Sequence, residues 1–94
     1  MAKLIRVDGT IEEFDAASAS LEDLQAMVGG YIQEAPMPRG QDIATIICNE
    51  EGKLMGLPMN REATRIFQDA WRSNADYIAG NAIIVTLDEY RRMR

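Results

Sequence analysis

The chain has 94 residues, enough for one compact domain over residues 1–94 and too few for two. Its make-up, 47% hydrophobic and 27% charged with no histidine and one cysteine, fits a folded domain. It excludes a histidine base, a histidine metal ligand, an intrachain disulfide and a cysteine-rich zinc site. The formal charge of −5 is uneven: residues 1–52 carry ten acids and three bases, residues 53–94 five acids and seven bases.

Lys3 to Val7 and Thr10 to Phe14 read as strands joined at Asp8-Gly9, a strong signal for a type I′ hairpin turn. Ile11 and Phe14 are three apart and cannot share one face of a regular strand, so a bulge or an early strand end is expected. Ser20 caps a helix whose Leu21, Leu24, Met27 and Val28 share a face, and Gly29-Gly30 stops it. Tyr31 to Glu34 is a third strand, ended by Pro36 and Pro38. Ile43 to Cys48 is an apolar run typical of a strand covered on both faces. Lys53-Leu54-Met55 reads as a short return strand. Asn60 caps a second helix to about Trp71, on the 3.6-residue period of Ala63, Ile66, Phe67, Ala70 and Trp71. Ala82 to Val85 is another central strand. Thr86-Leu87-Asp88-Glu89 has the form of a capping box opening a short last helix, with Arg91, Arg92 and Arg94 at its negative end.

This order predicts an α+β domain. It combines a small mixed β-sheet with two main helices packed mainly on one face, and a short C-terminal helix. Its strand–strand–helix–strand opening is shared with the β-grasp topology, a likeness that carries no function.

Three places could carry chemistry. The loop-to-helix junction from Gly56 to Thr64 offers backbone N–H groups and Arg61 to an anion, with Arg65 and Arg72 on the same side. The bland alternative is that Asn60 only caps and Arg65 pairs with Asp69. Glu50 and Glu51 in Asn49-Glu50-Glu51-Gly52-Lys53 are a carboxylate pair, more simply read as a solvated turn. Tyr31 beside Gly29-Gly30 presents a flat ring for stacking, or is a strand residue after a helix stop. Trp71 and Phe67 fit the core stripe, and Cys48 has no histidine to activate it.

The acidic first half disfavours direct nucleic-acid binding, because phosphates would be repelled. No apolar run nears the roughly 20 residues of a membrane span. The N-terminus lacks a signal pattern, so a cytoplasmic location is expected.

Val28-Gly29-Gly30-Tyr31-Ile32, Asn49-Glu50-Glu51-Gly52-Lys53-Leu54, Gly56 to Thr64, and Ile78 to Val85 occur in that order. The pattern resembles a small domain family of unknown function found mostly in bacteriophages and mobile elements. The resemblance implies an accessory protein made in the cytoplasm of a bacterial host cell and transfers no catalytic residue. The resulting expectation is a non-catalytic, plausibly counter-defence protein, without cofactor or metal, that sequesters a small anionic nucleotide-like ligand. Tyr31, Asn49, Asn60, Arg61, Thr64 and Arg65 would surround that ligand. A homo-oligomer would enclose a site that a chain this short can hardly enclose alone. The alternative is an acidic inhibitor of a host defence protein, acting through Glu12, Glu13, Glu22 and Asp23.

Overall fold

In the computed structural model, which describes residues 1–93, the chain forms β1 (Ala2–Ile5), β2 (Ile11–Phe14) and a 3-10 turn (Ala16–Ser18). It continues through α1 (Leu21–Val28), β3 (Ile32–Pro36), β4 (Ile43–Asn49), α2 (Arg61–Trp71), β5 (Ala82–Thr86) and α3 (Leu87–Arg92). Arg94, expected at the end of the last helix, lies outside the described residues. The α+β class holds, with two differences from the expected arrangement. The sheet, ordered β2-β1-β5-β4-β3, is antiparallel at every pairing rather than mixed. The helices also cover both faces rather than mainly one.

The antiparallel direction has a local cause. A helix following β4 would by itself return the next strand parallel to β4. Here residues 73–81 run back along α2, and Met59 pairs with Ala79 beside the start of that helix. Gly80 N–H donates to Pro58 O at 2.8 Å, so β5 begins at the end where β4 finished. It then descends between β4 and β1, antiparallel to both. Since the sheet has no parallel pair, the β-grasp likeness ends with the element order.

The alternation of side chains in β1, β4 and β5 builds two cores. Leu4, Ile47, Ile83 and Val85 pack with Leu24 and Val28 of α1 on one face. Ile5, Ile46, Cys48 and Ile84 pack with Ala63, Ile66 and Phe67 of α2 on the other. The apolar runs of β4 and β5 are therefore buried on both faces, as their composition predicts.

Local chemistry sets the boundaries. Ser20 and Asp23 form a full capping box, and Gly29 takes the left-handed position (φ 81°) that ends α1. The first hairpin is not type I′, because Gly9 alone in the turn has positive φ. Gly9 N–H donates to Arg6 O and Arg6 N–H to Thr10 O, giving a three-residue loop with a glycine bulge. No bulge is needed for Ile11. The register runs evenly from Ala2–Phe14 to Ile5–Ile11, so Phe14 joins the α1-side core and Ile11 lies exposed on the other face. Lys53 to Met55 forms turns, not a strand.

Both sheet edges are guarded. β2 carries Glu12 and Glu13. In β3, Tyr31 O accepts from Glu50 N–H and Met37 N–H donates to Ala44 O. The alternate residues Ile32, Glu34 and Pro36 therefore turn their backbone groups outward. Pro36 has no N–H, and its carbonyl is taken by the Trp71 indole at 3.1 Å. Trp71 is thus half-exposed and locks an edge, rather than filling the core.

Glu89 departs from the capping-box expectation. Thr86 Oγ1 accepts from Glu89 N–H, but the Glu89 carboxylate does not return the bond. It is fully buried, accepts from Ala16 N–H at 2.6 Å and from Arg92, and lies 4.0 Å from the N-terminal amine. Glu89→Ala leaves Ala16 N–H without its acceptor and should lower the unfolding free energy by about 2–3 kcal/mol. Glu89→Gln, which keeps an acceptor, should recover about half of that loss. Urea denaturation measures both.

Candidate functional site

One end of the sheet carries the polar structure that matters. There β1 and β4 end, β5 begins, α1 stops and α2 starts. Three asparagine side chains tie these pieces together. Asn60 Nδ2 donates to Ile5 O at 2.8 Å and Gly80 O at 3.0 Å, while its Oδ1 accepts from Ala63 N–H at 3.1 Å as the α2 cap. Asn49 Nδ2 donates to Val28 O and its Oδ1 accepts from Glu51 N–H. Asn81 bridges Met27 O and Val7 N–H. Gly30 must be glycine for this packing, since a Cβ there would lie 2.9 Å from Asn49 Nδ2.

The expected ligand residues divide sharply against this frame. Asn49, Asn60 and Thr64 are buried, and their polar atoms are committed to the backbone. Thr64 Oγ1 exchanges bonds with Ile78 N–H and Ile78 O. These three build the end of the sheet and offer a ligand no free polar group. Arg65 is bound by Glu62 (2.7 Å) and Asp69 (3.3 Å), the bland alternative foreseen for it. Arg72 is the left-handed cap that ends α2 (φ 53°). Arg61 is exposed, with no partner among the described residues. Tyr31 is 68% exposed at the head of β3, opposite Glu50. The six residues do not converge on one cavity.

Asn49 alone of the six lines the groove on which another set converges. Beside Asn49, a groove of about 350 Å³ runs between β3, the 50–54 turn and the 76–79 segment. Its walls include Ala35, Leu54, Phe67 and Tyr77, with Gln33 and Glu50 at the rim and Cys48 at the base. Its cation is Lys53, whose ammonium donates to Asp76 and sits 4.6 Å over the Tyr77 ring. The bond from Lys53, then that from Tyr77 N–H, holds the Asp76 carboxyl below the ordinary aspartate range. Burial pushes the Cys48 thiol up; Lys53 works against that shift, while Asp76 adds to it. The thiol is therefore neutral and unreactive at physiological pH.

In the sequence, Asn49 to Lys53 marks the edge of this groove, but its paired carboxylates are the conspicuous feature and its lysine is not. Tyr77 and Asp76 gave no signal, because they come close to Lys53 only through the return segment after α2. Among the described residues, no group of three or more Cys, Asp or Glu side chains is placed to hold a metal ion. No helix among them is long and apolar enough to cross a membrane.

Five acids of the first half have partners within the fold. Asp8 accepts from Thr10, Glu12 pairs with Arg6, Asp15 caps the 3-10 turn, Asp23 serves the α1 cap and Glu34 accepts from Tyr90.

A family model matches residues 2–93. The chain belongs to DUF3846, a domain of unknown function. The groove, its lysine and the asparagine frame are thus all within the DUF3846 domain. No curated protein and no solved structure matches the chain.

Two outcomes test this description. Asn60→Ala strands two buried carbonyls and a helix-cap N–H, and should cost about 3 kcal/mol in chemical denaturation. In an NMR titration Asp76 should protonate below a free aspartate, and Lys53→Ala should move its midpoint upward. The sign follows from the depressed folded pKa: the stabilisation from Asp76 is present above its unfolded pKa. It is lost as pH falls through the folded one.

Proposed function

We propose that this domain binds without catalysing, and that the groove beside Lys53 captures a small anionic, nucleotide-like ligand. The observation that carries this reading is Lys53, a cation held over an aromatic ring at the mouth of a cavity. Its volume of about 350 Å³ falls within the range of small-molecule sites. The Lys53–Asp76 pair is exposed, and such pairs are worth at most about 1 kcal/mol. A phosphate can therefore take the ammonium from Asp76 at little cost. The walls of Ala35, Leu54, Phe67 and Tyr77 suit a flat ring, and the Gln33 carboxamide can donate to and accept from its edge. In a phage or mobile element, such capture would withdraw a nucleotide-derived immune signal from the host. Arg61 and Tyr31, which lie outside the groove lining, have no part in this version of the site.

Calorimetric titration with cyclic dinucleotides, mononucleotides and ADP-ribose tests the proposal. Binding should weaken at least about tenfold in Lys53→Ala. It should tighten in Asp76→Asn, because the lysine loses its competing charge while Tyr77 N–H keeps an acceptor. Ligand recovered after incubation should be intact by mass. No heat with any of these compounds, using verified folded protein, sinks the reading.

A further inference from the structure

The groove beside Lys53 also limits how much charge a ligand can bring. Its lining holds one cation, Lys53, against two carboxylates, Glu50 and Asp76. The Glu50 side chain has no partner among the described residues, so its charge is not offset. These charges stand on a fixed frame. In the turn that carries Glu50 and Lys53, Met55 N–H donates to Glu51 O and Leu57 N–H to Gly52 O, both at 2.9 Å. Gly80 N–H donates to Pro58 O and Asn60 N–H to Ile78 O, which ties down the rest of the 53–59 loop. Gly52 is buried against Ala79, where an added Cβ would lie 3.0 Å from Ala79 O. Asp76 is held by Lys53 and by Tyr77 N–H.

The same lining sets the number of groups it can match. Two amide side chains line the groove, but Asn49 spends its polar atoms on Val28 O and Glu51 N–H. Gln33 is the lining amide left to read a base edge. One lysine and one amide match one phosphate and one base. The volume, about 350 Å³, lies near the lower end of the roughly 300–1,000 Å³ of small-molecule pockets. A second phosphate would find no second cation in the lining and would meet the carboxylates instead. The kind of phosphate matters as well. A cyclic phosphodiester carries a single negative charge, whereas a phosphate monoester carries about −1.5 to −2 at pH 7. Lys53 balances the first, and the excess charge of the second stands against Glu50 and Asp76. We infer that the groove selects a nucleotide with one base and one singly charged phosphate, the class of the cyclic mononucleotides, and that Glu50 and Asp76 reject more highly charged relatives. This inference rests on the capture reading proposed above and names its ligand class.

Calorimetric titration of the full chain provides the test. The probes are cyclic mononucleotides of the common bases, the matching noncyclic monophosphates, cyclic dinucleotides and ADP-ribose. At least one cyclic mononucleotide should bind, and its noncyclic counterpart about fivefold or more weaker. Cyclic dinucleotides and ADP-ribose should bind about tenfold or more weaker than it. Glu50→Gln should narrow the gap between cyclic and noncyclic mononucleotides about threefold, with circular dichroism unchanged because the side chain is exposed. Lost packing alone does not produce such a change in ratio. Equal affinity for the cyclic and noncyclic forms, or a gap that Glu50→Gln leaves unchanged, overturns the inference. A dinucleotide or ADP-ribose that binds more tightly than every cyclic mononucleotide also overturns it, and leaves capture standing. Silence from every compound removes both.

Discussion

The position of β5 is the constraint on which the fold depends. Among the described residues, the β1–β2 and β3–β4 halves of the sheet are joined by backbone pairing only through this last strand. Lys3 opposes Ile84, so the pairing closes a loop of nearly the whole chain, and its entropic cost must be met by burial. Ile83 and Val85 meet that cost on one face and Ala82 and Ile84 on the other, because β5 is covered on both sides. Without β5, neither core would be continuous.

Threading a strand between two others requires its entry point to be held. The asparagine frame does this. Asn60 fixes the start of α2 to the last residue of β1 and to Gly80, two residues before β5. Asn81 holds the next position to α1 and the first turn. The same bonds make the adjoining surface rigid, so the Lys53 groove and the 53–59 loop inherit a fixed shape from requirements of folding. Recognition surfaces are well placed on such a frame, because ordering costs have been met before any partner arrives.

What could be read from the sequence divides along the same line. Local signals were dependable: the Ser20 and Asn60 caps, the Gly29 stop and the two apolar strands all stand where composition and periodicity put them. Sheet direction was not legible, because it turns on how residues 73–81 run back along α2, and no local pattern encodes that path. The polar residues of the motifs were recognised as unusual, and they are. Their work is internal, however: Asn49, Asn60 and Thr64 satisfy buried backbone groups. A polar side chain beside a turn looks alike in sequence whether it faces water or a carbonyl of a distant strand. Lys53 is inconspicuous in the sequence because its importance comes from Tyr77 and Asp76, more than twenty positions away. Glu89 kept half its capping role while its carboxylate reached Ala16 instead, a tertiary contact overriding a local one.

The lock on β3 has a consequence for the kind of assembly open to this chain. Pro36 brings no donor, and the Trp71 indole occupies its carbonyl. The opposite edge carries two adjacent acids. Strand addition is opposed at both borders, at one by a missing donor and an occupied carbonyl and at the other by charge, so concentrated protein lacks a ready edge-to-edge route to an open-ended fibre.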